Sequence, residues 1–521
     1  MTLNNTNSAK KPLVEMPIKS EKEDLLETND FQETLIRYIE ESGTPVTIAL
    51  QGEWGKGKTS MMNLVALRLC GKNFSISKSN AALPYHGVFI NTWQFALSGG
   101  TPDQVTISIL CSIINQLSEL VPKEKSEKTK EALLNLAYNY GPEMLERIGS
   151  QLGRYSFISN IIAKTLIFIR NSKNKANKDP QIKQLKDSIK KLIDEILEKD
   201  NIKKGIIFFI DDLDRIDAEL AVKILENFKN IFDFNHCIFV MAIDFDIIIK
   251  GLEPKLGKYS PSNSKKFEYY FAKFVQVSLP LPDPQDINDF ITETTIAAGL
   301  FTKDEAYDID FQSTYMPHLI NVIEWSVGLN PRTIKQLAKK LEFVVAYKPD
   351  VITMGNLDNN DNTNNREQSN TIRYDINHDD IAMKTLFFIL TCLQTSYPDV
   401  YRYLSYNSFF ECWTDIEANS FNIPAITSDN TSDKERENLT KAPEWLRVLY
   451  RICLQDTFSM NHISDLTKIF SIMKDLELDL INKYKLSSPI AIALSKTSIL
   501  QSDTPNTPLF IENVMTNKNQ L

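Results

Sequence analysis

The run Gly52-Glu53-Trp54-Gly55-Lys56-Gly57-Lys58-Thr59 has the types and spacing of a phosphate cradle, Gly-x-x-x-x-Gly-Lys-Thr. The chemistry asks for this pattern. Glycines let the backbone curl so that successive N–H groups point at phosphate oxygens, and a helix beginning at the lysine adds its positive end. Lys58 then reaches the β- and γ-phosphates of a nucleoside triphosphate, and the Thr59 hydroxyl reaches a magnesium ion. The candidate nucleotide-binding set is Gly52, Trp54, Gly55, Lys56, Gly57, Lys58, Thr59 and Ser60. Trp54 has two readings: stacking on the base or on a neighbouring subunit, and simple packing.

Such a loop needs a carboxylate from a neighbouring strand. Ile206-Ile207-Phe208-Phe209-Ile210 reads as a buried strand, and Asp211 and Asp212 emerge at its C-terminal end, where open α/β sheets hold ligands. Asp211 is the magnesium-side candidate and Asp212 the candidate base that polarises the attacking water. A further apolar run ends in Asp244. There an acid either senses the γ-phosphate or caps a helix.

The elements that must carry these residues are legible around them. Val46–Leu50 precedes the loop as a short β-branched strand, and Ser60–Leu69 follows as a helix. A helix is expected from Asp30, on Phe31, Leu35, Ile36, Tyr38 and Ile39. Further strands are expected at Gly87–Asn91, Ile206–Ile210, Ile238–Ile243 and Phe274–Val277, with helical patterns between them. That alternation predicts a doubly wound parallel α/β sheet. Residues 1–20 read as a disordered N-terminus, 21–280 as the nucleotide-binding core with a helical insertion at 101–204, 281–350 as a helical lid, 351–372 as an Asn-rich linker and 373–521 as a helical C-terminal domain.

Composition agrees with 521 residues arranged as several domains: 42% are hydrophobic and 24% charged. The net charge of −9 argues against bulk attraction to polyanions. Residues 101–204 differ, with 18 Lys plus Arg against 13 Asp plus Glu, a net of +5 that leaves −14 elsewhere. Either that segment meets nucleic acid, or its charges line solvated helix faces. Six scattered cysteines without metal spacing point to a reducing compartment, and a cytoplasmic location is expected. No run of 18 apolar residues occurs. The most apolar segment, Tyr155–Ile169, contains Asn160 and Lys164, so it is read as a buried helix or subunit contact and a membrane role is not expected.

Five segments together resemble the KAP family of P-loop NTPases over residues 25–345. They are Gly52–Ser60; Phe89-Ile90-Asn91-Thr92-Trp93-Gln94; Ile206–Asp217, with its Asp-Asp-Leu-Asp-Arg run; Phe239–Ile249; and Asn330-Pro331-Arg332-Thr333-Ile334-Lys335. The resemblance implies a sheet of the ASCE P-loop type, with the Asp211 strand between the P-loop strand and its neighbour. It implies ATP with magnesium, and no Asn-Lys-x-Asp guanine-reading run occurs. It also implies that Asp214 and Arg215 close the acidic motif, that Arg332 is a lid arginine touching the γ-phosphate, and that Lys273 is a lesser site residue. The expected catalytic set is therefore Lys58, Asp212, Asp244 and Arg332, with Thr59 and Asp211 on the metal. Many family members carry transmembrane helices between the two ATP motifs, and none is legible here. Soluble bacterial members are linked to defence against phage and plasmids. The expected partners are a second copy of the chain and a protein bearing any effector activity.

Other constellations carry less. His378-Asp379-Asp380 lacks the remaining ligands of a metal phosphohydrolase and reads as a helix start. The aromatic residues Tyr401, Tyr403, Tyr406, Phe409, Phe410 and Trp413 read as packing rather than as a base-stacking surface.

Overall fold

The computed structural model describes residues 15–74, 83–96, 101–138, 144, 147–148, 179–199, 203–231, 234–284, 286–346, 380–427, 430–484 and 488–498. The Tyr155–Ile169 segment, the Asn-rich linker, the His378-Asp379 pair and residues 1–14 lie outside them. The chain forms two compact units, one of Met16–Gln285 and one of Asp286 onward together with Glu15.

The first unit is built on five parallel strands: β1 (Val46–Gln51), β2 (Tyr85–Asn91), β3 (Gly205–Asp211), β4 (Cys237–Ile243) and β5 (Val277–Pro280). Their order is β2-β3-β4-β1-β5. Every residue of β3 and β4 is buried, as expected for parallel strands covered on both faces. The strands then divide by period two. Ile48, Leu50, Ile207, Phe209 and Val240 face one core with α1 (Asn29–Glu41) and α2 (Lys58–Cys70). Ala49, Ile206, Phe208, Ile210 and Met241 face the other.

The second core holds the helices of the predicted insertion. On α4 (Pro102–Ser118) and α5 (Lys123–Tyr138), which follow the short α3 (Thr92–Ala96), Ile113, Leu117 and Leu133 are fully buried. On α6 (Asp179–Lys199), Leu185, Ile189, Ile193 and Ile196 are buried, while Ile182 is exposed. The same core takes α7 (Ala218–Ile231), α8 (Phe245–Leu256) and α9 (Ser264–Phe271). The described part of the insertion is thus a layer of the sheet domain.

Three expectations change. The Asp211 strand does not sit between the P-loop strand and its neighbour: β4 pairs with both β1 and β3 and separates them. The fifth strand is shifted from Phe274–Val277 to Val277–Pro280. It is an edge strand, where Pro280 forfeits no ladder bond, and Phe274 instead closes a turn after α9 through its N–H to the Phe271 carbonyl. Residues 16–20, read as part of a disordered end, dock on α2 and the segment just after it: Asn63 Nδ2 donates to the Ile18 carbonyl at 3.0 Å and Asn73 Nδ2 to the Lys19 carbonyl at 3.2 Å.

The second unit is helical. Its central helix, Ile381–Ser396, is buried on all sides from Ala382 to Leu393, the pattern of a helix that neighbours surround. Asp380 caps it, accepting from Ala382 N–H at 2.9 Å. It packs against Pro331–Ala346 and Ile463–Tyr484 among others, so the expected lid and C-terminal helices share one unit. Tyr401, Tyr403, Phe410 and Trp413 are buried there as core, whereas Phe409 is half-buried and Tyr406 is exposed.

Because α6 shares the core of β3, Ile189→Ala is expected to destabilise the first unit by about 2–5 kcal/mol. Thermal and chemical unfolding of the full chain would register this as a lower midpoint for that unit. An unchanged midpoint would show an insertion that folds apart from the sheet.

Candidate nucleotide-binding site

The chain leaves β1 toward β2 on one side of the sheet and leaves β4 toward β5 on the other. Between β1 and β4 lies a topological switch point, where open parallel sheets hold ligands at their C-terminal ends. The Gly52–Thr59 loop begins there. Gly52 N–H donates to the Ile243 carbonyl at 3.3 Å, tying the loop to the end of β4. Gly55 and Gly57 have φ of 96° and 92°, which side chains resist. Gly57 is the N-cap of α2, so this turn aims the first helical N–H groups into the loop.

Lys58 is 6% exposed. Its ammonium donates to the Gly52 carbonyl at 2.7 Å and the Glu53 carbonyl at 3.2 Å, and pairs with Asp214 at 2.8 Å. Thr59 Oγ1 donates to Asp211 Oδ2 at 2.8 Å. Strands β1 and β3 stand two spacings apart, roughly 10 Å, and this contact spans the gap. Burial, then the neighbouring Asp212 charge, raises the Asp211 carboxyl to about 6.

Asp212 lies just beyond β3 with φ 60°, in the left-handed region. Its two oxygens are held separately: Asn91 Nδ2 donates to Oδ2 at 2.6 Å and Arg215 Nε meets Oδ1 at 2.5 Å. Burial raises its pKa, and Arg215 and Asn91 oppose the rise. Asp244 is the N-cap of α8, accepting from Asp246 N–H at 3.1 Å. Burial raises its pKa while the Lys58 charge lowers it. The capping role is therefore realised, and the carboxyl is also within the field of the loop lysine.

The remaining predicted residues fall in several places. Lys56 pairs with Asp283 at 2.9 Å, an exposed contact worth little. The Ser60 hydroxyl accepts from Ile18 N–H at 3.3 Å and so anchors the N-terminal segment. Trp54 is 58% exposed, with the Arg215 guanidinium 5.9 Å from its ring centre. Lys273 lies over the Tyr270 ring at 4.6 Å. Arg332 belongs to the helical unit, where it pairs with Glu15 at 3.3 Å. Residue types alone assign no role to Asn91 or to the Lys58–Asp214 pair. The signal for Asn91 was its position at the end of a strand, but only the register Asn91↔Asp211 puts it beside the acids.

The donor set suits magnesium. Among the described residues no cluster of three or more metal-ligating side chains occurs. A P-loop magnesium needs none, because one carboxylate and one hydroxyl suffice when phosphate oxygens and water complete the shell. Asp211 and Thr59, joined at 2.8 Å, offer one carboxylate and one hydroxyl at this place.

The strand order, the glycine loop opening α2 and the acids closing β3 define a P-loop NTPase domain of the α/β class. Residues 28–348 match the model of the KAP family P-loop domain, and the chain belongs to that family. It is also similar to the "Phage T7 exclusion protein" of Escherichia coli (strain K12), at 24% identity over 247 residues. The match covers 46% of this chain and 30% of that relative. Among the described residues no helix is long and apolar enough to cross a membrane.

The raised Asp211 pKa has a calculable sign. A carboxyl whose folded pKa exceeds its unfolded value of 3.8 costs stability once ionised, so the penalty grows as pH rises from about 4 through about 6. Asp211→Asn removes that penalty. At pH 7.5 it is expected to melt at or above the temperature of the parent and to lose the further stabilisation that magnesium and ATP confer. A variant that melts lower without ligand, or keeps the ligand-induced shift, would contradict this assignment.

Proposed function

We propose that this chain is a magnesium-dependent ATPase whose cycle switches the state of an assembly that excludes phage. The observation that carries the reading is the convergence of Lys58, Thr59, Asp211 and Asp212 at the ends of β1 and β3, closed by the 2.8 Å contact of Thr59 with Asp211. Each has one task. The loop N–H groups and Lys58 bind the phosphates, and the Lys58 ammonium offsets charge on the β,γ-bridge as it grows. Thr59 and Asp211 would hold magnesium, which supplies further charge stabilisation on the β- and γ-oxygens. Asp212 accepts a proton from the attacking water as its oxygen bonds to the γ-phosphorus. The bond from that phosphorus to the bridging oxygen breaks, releasing ADP and phosphate. Family membership supports the triphosphate, and the lack of an Asn-Lys-x-Asp run favours ATP.

The same geometry suits a switch. Lys58 holds Asp214 at 2.8 Å, and a γ-phosphate competes for that ammonium. Binding therefore frees a carboxylate on the segment that leads into α7, which links nucleotide state to a structural element. Asp244, beside Lys58 at the start of α8, senses the same phosphate. For Arg332 the role of lid arginine rests on the family resemblance alone. The exclusion role rests on the relative's printed name. A second copy of the chain, and a partner bearing the damaging activity, are the components such a switch would act on.

Two substitutions separate binding from chemistry. Lys58→Ala is expected to abolish ATP binding in calorimetry. Asp212→Asn should bind ATP within a few-fold of the parent while phosphate release falls by about 100- to 10,000-fold, the range for losing a positioned base. Unchanged turnover in Asp212→Asn would remove Asp212 from the chemistry.

A further inference from the structure

We propose that Asn91, Arg215 and Trp93 are positioning residues for the hydrolytic step, with Asn91 and Arg215 each fixing one oxygen of the Asp212 carboxylate and Trp93 fixing Arg215. The inference rests on the reading of Asp212 as the base and deepens it.

Asp212 begins from an unfavourable position. A non-glycine residue at φ 60° holds that conformation when its surroundings over-determine it. The surroundings come from three consecutive residues at the junction of β2 and α3. Asn91 Nδ2 donates to Asp212 Oδ2 at 2.6 Å, and the buried Thr92 hydroxyl donates to the Asp211 carbonyl at 2.9 Å. The Trp93 ring lies 5.5 Å from the Arg215 guanidinium. Asn91 is itself oriented, because its Oδ1 accepts from Gln94 N–H at 3.4 Å, which leaves the NH₂ end for Asp212.

Arg215 needs the help of the rings. Its side chain is 35% exposed, and an ion pair that open to water gains little and wanders. Two indole rings restrain it. Trp54 of the phosphate loop and Trp93 lie on the guanidinium at 5.9 and 5.5 Å, both inside the roughly 6 Å reach of a cation–π contact. The carboxylate keeps lone pairs beyond the two that Asn91 and Arg215 occupy. It can therefore accept the proton of the attacking water without releasing either donor. The Asn-Thr-Trp run and the Asp-Asp-Leu-Asp-Arg run, far apart in sequence, become the two halves of one holder.

The test is steady-state phosphate release from magnesium ATP by the full chain, compared with Asn91→Ala, Trp93→Ala and Trp93→Phe. Binding of N-methylanthraniloyl-ATP is measured alongside. Asn91→Ala is expected to lower kcat about 100-fold, the scale of misplacing a reacting group by about 1 Å. KM and the affinity for the fluorescent nucleotide should stay within about 3-fold. Trp93→Ala should lower kcat in the same direction, and Trp93→Phe, which keeps a ring face for Arg215, should restore most of it. Unchanged kcat in Asn91→Ala overturns the proposal, and so does a loss of nucleotide binding that parallels the loss of kcat. If the parent chain releases no phosphate, the hydrolytic reading beneath the proposal fails instead.

Discussion

Four carboxylates, Asp211, Asp212, Asp214 and Asp244, gather about one buried lysine. Lys58 pairs directly with Asp214, and its charge acts on Asp212 and Asp244. Asp211 and Asp212 are less than a tenth exposed, and burial raises the pKa of both. With Lys58 and Arg215 as the cations paired within this group, the site carries more negative charge than it neutralises. That imbalance costs stability, and a divalent cation relieves it. A phosphate chain alone would worsen it, so metal and nucleotide suit this site together.

The rest of the first unit follows from the need to hold those acids at one level. Parallel strands end together, and the register Asn91↔Asp211 and Ile210↔Met241 sets the acids beside β2 and β4. Keeping a sheet buried on both faces requires two cores. One is supplied by α1 and α2, the other by helices that include much of the 101–204 segment. Among the described residues, the lysines and acids of that segment therefore sit on helices whose apolar sides pack in the core that takes β3.

Much of this was legible because it is local. Strands β3 and β4 announce themselves as unbroken apolar runs, and the loop as glycines before Lys-Thr. What was not legible depends on neighbours. Strand order is set by crossovers whose destinations leave no mark in either strand, so β4 rather than β3 lies against the P-loop strand. Pro280 reads as a breaker unless the strand is known to lie at an edge. Asn91 looks like any polar residue ending a strand until register brings it to Asp212. Asp244 satisfies the capping rule so well that sequence alone cannot separate the cap from the sensor, and the structure gives it both a cap and a charged neighbour.

These residues are proposed to bind magnesium ATP and cleave it. The most direct measurement follows the fate of γ-labelled ATP on the purified chain with magnesium and with a chelator. ADP and phosphate are expected in amounts exceeding the protein when magnesium is present, and neither when it is chelated. Nucleotide that binds and is recovered as intact ATP after hours with magnesium would contradict it and leave a binding protein without hydrolysis.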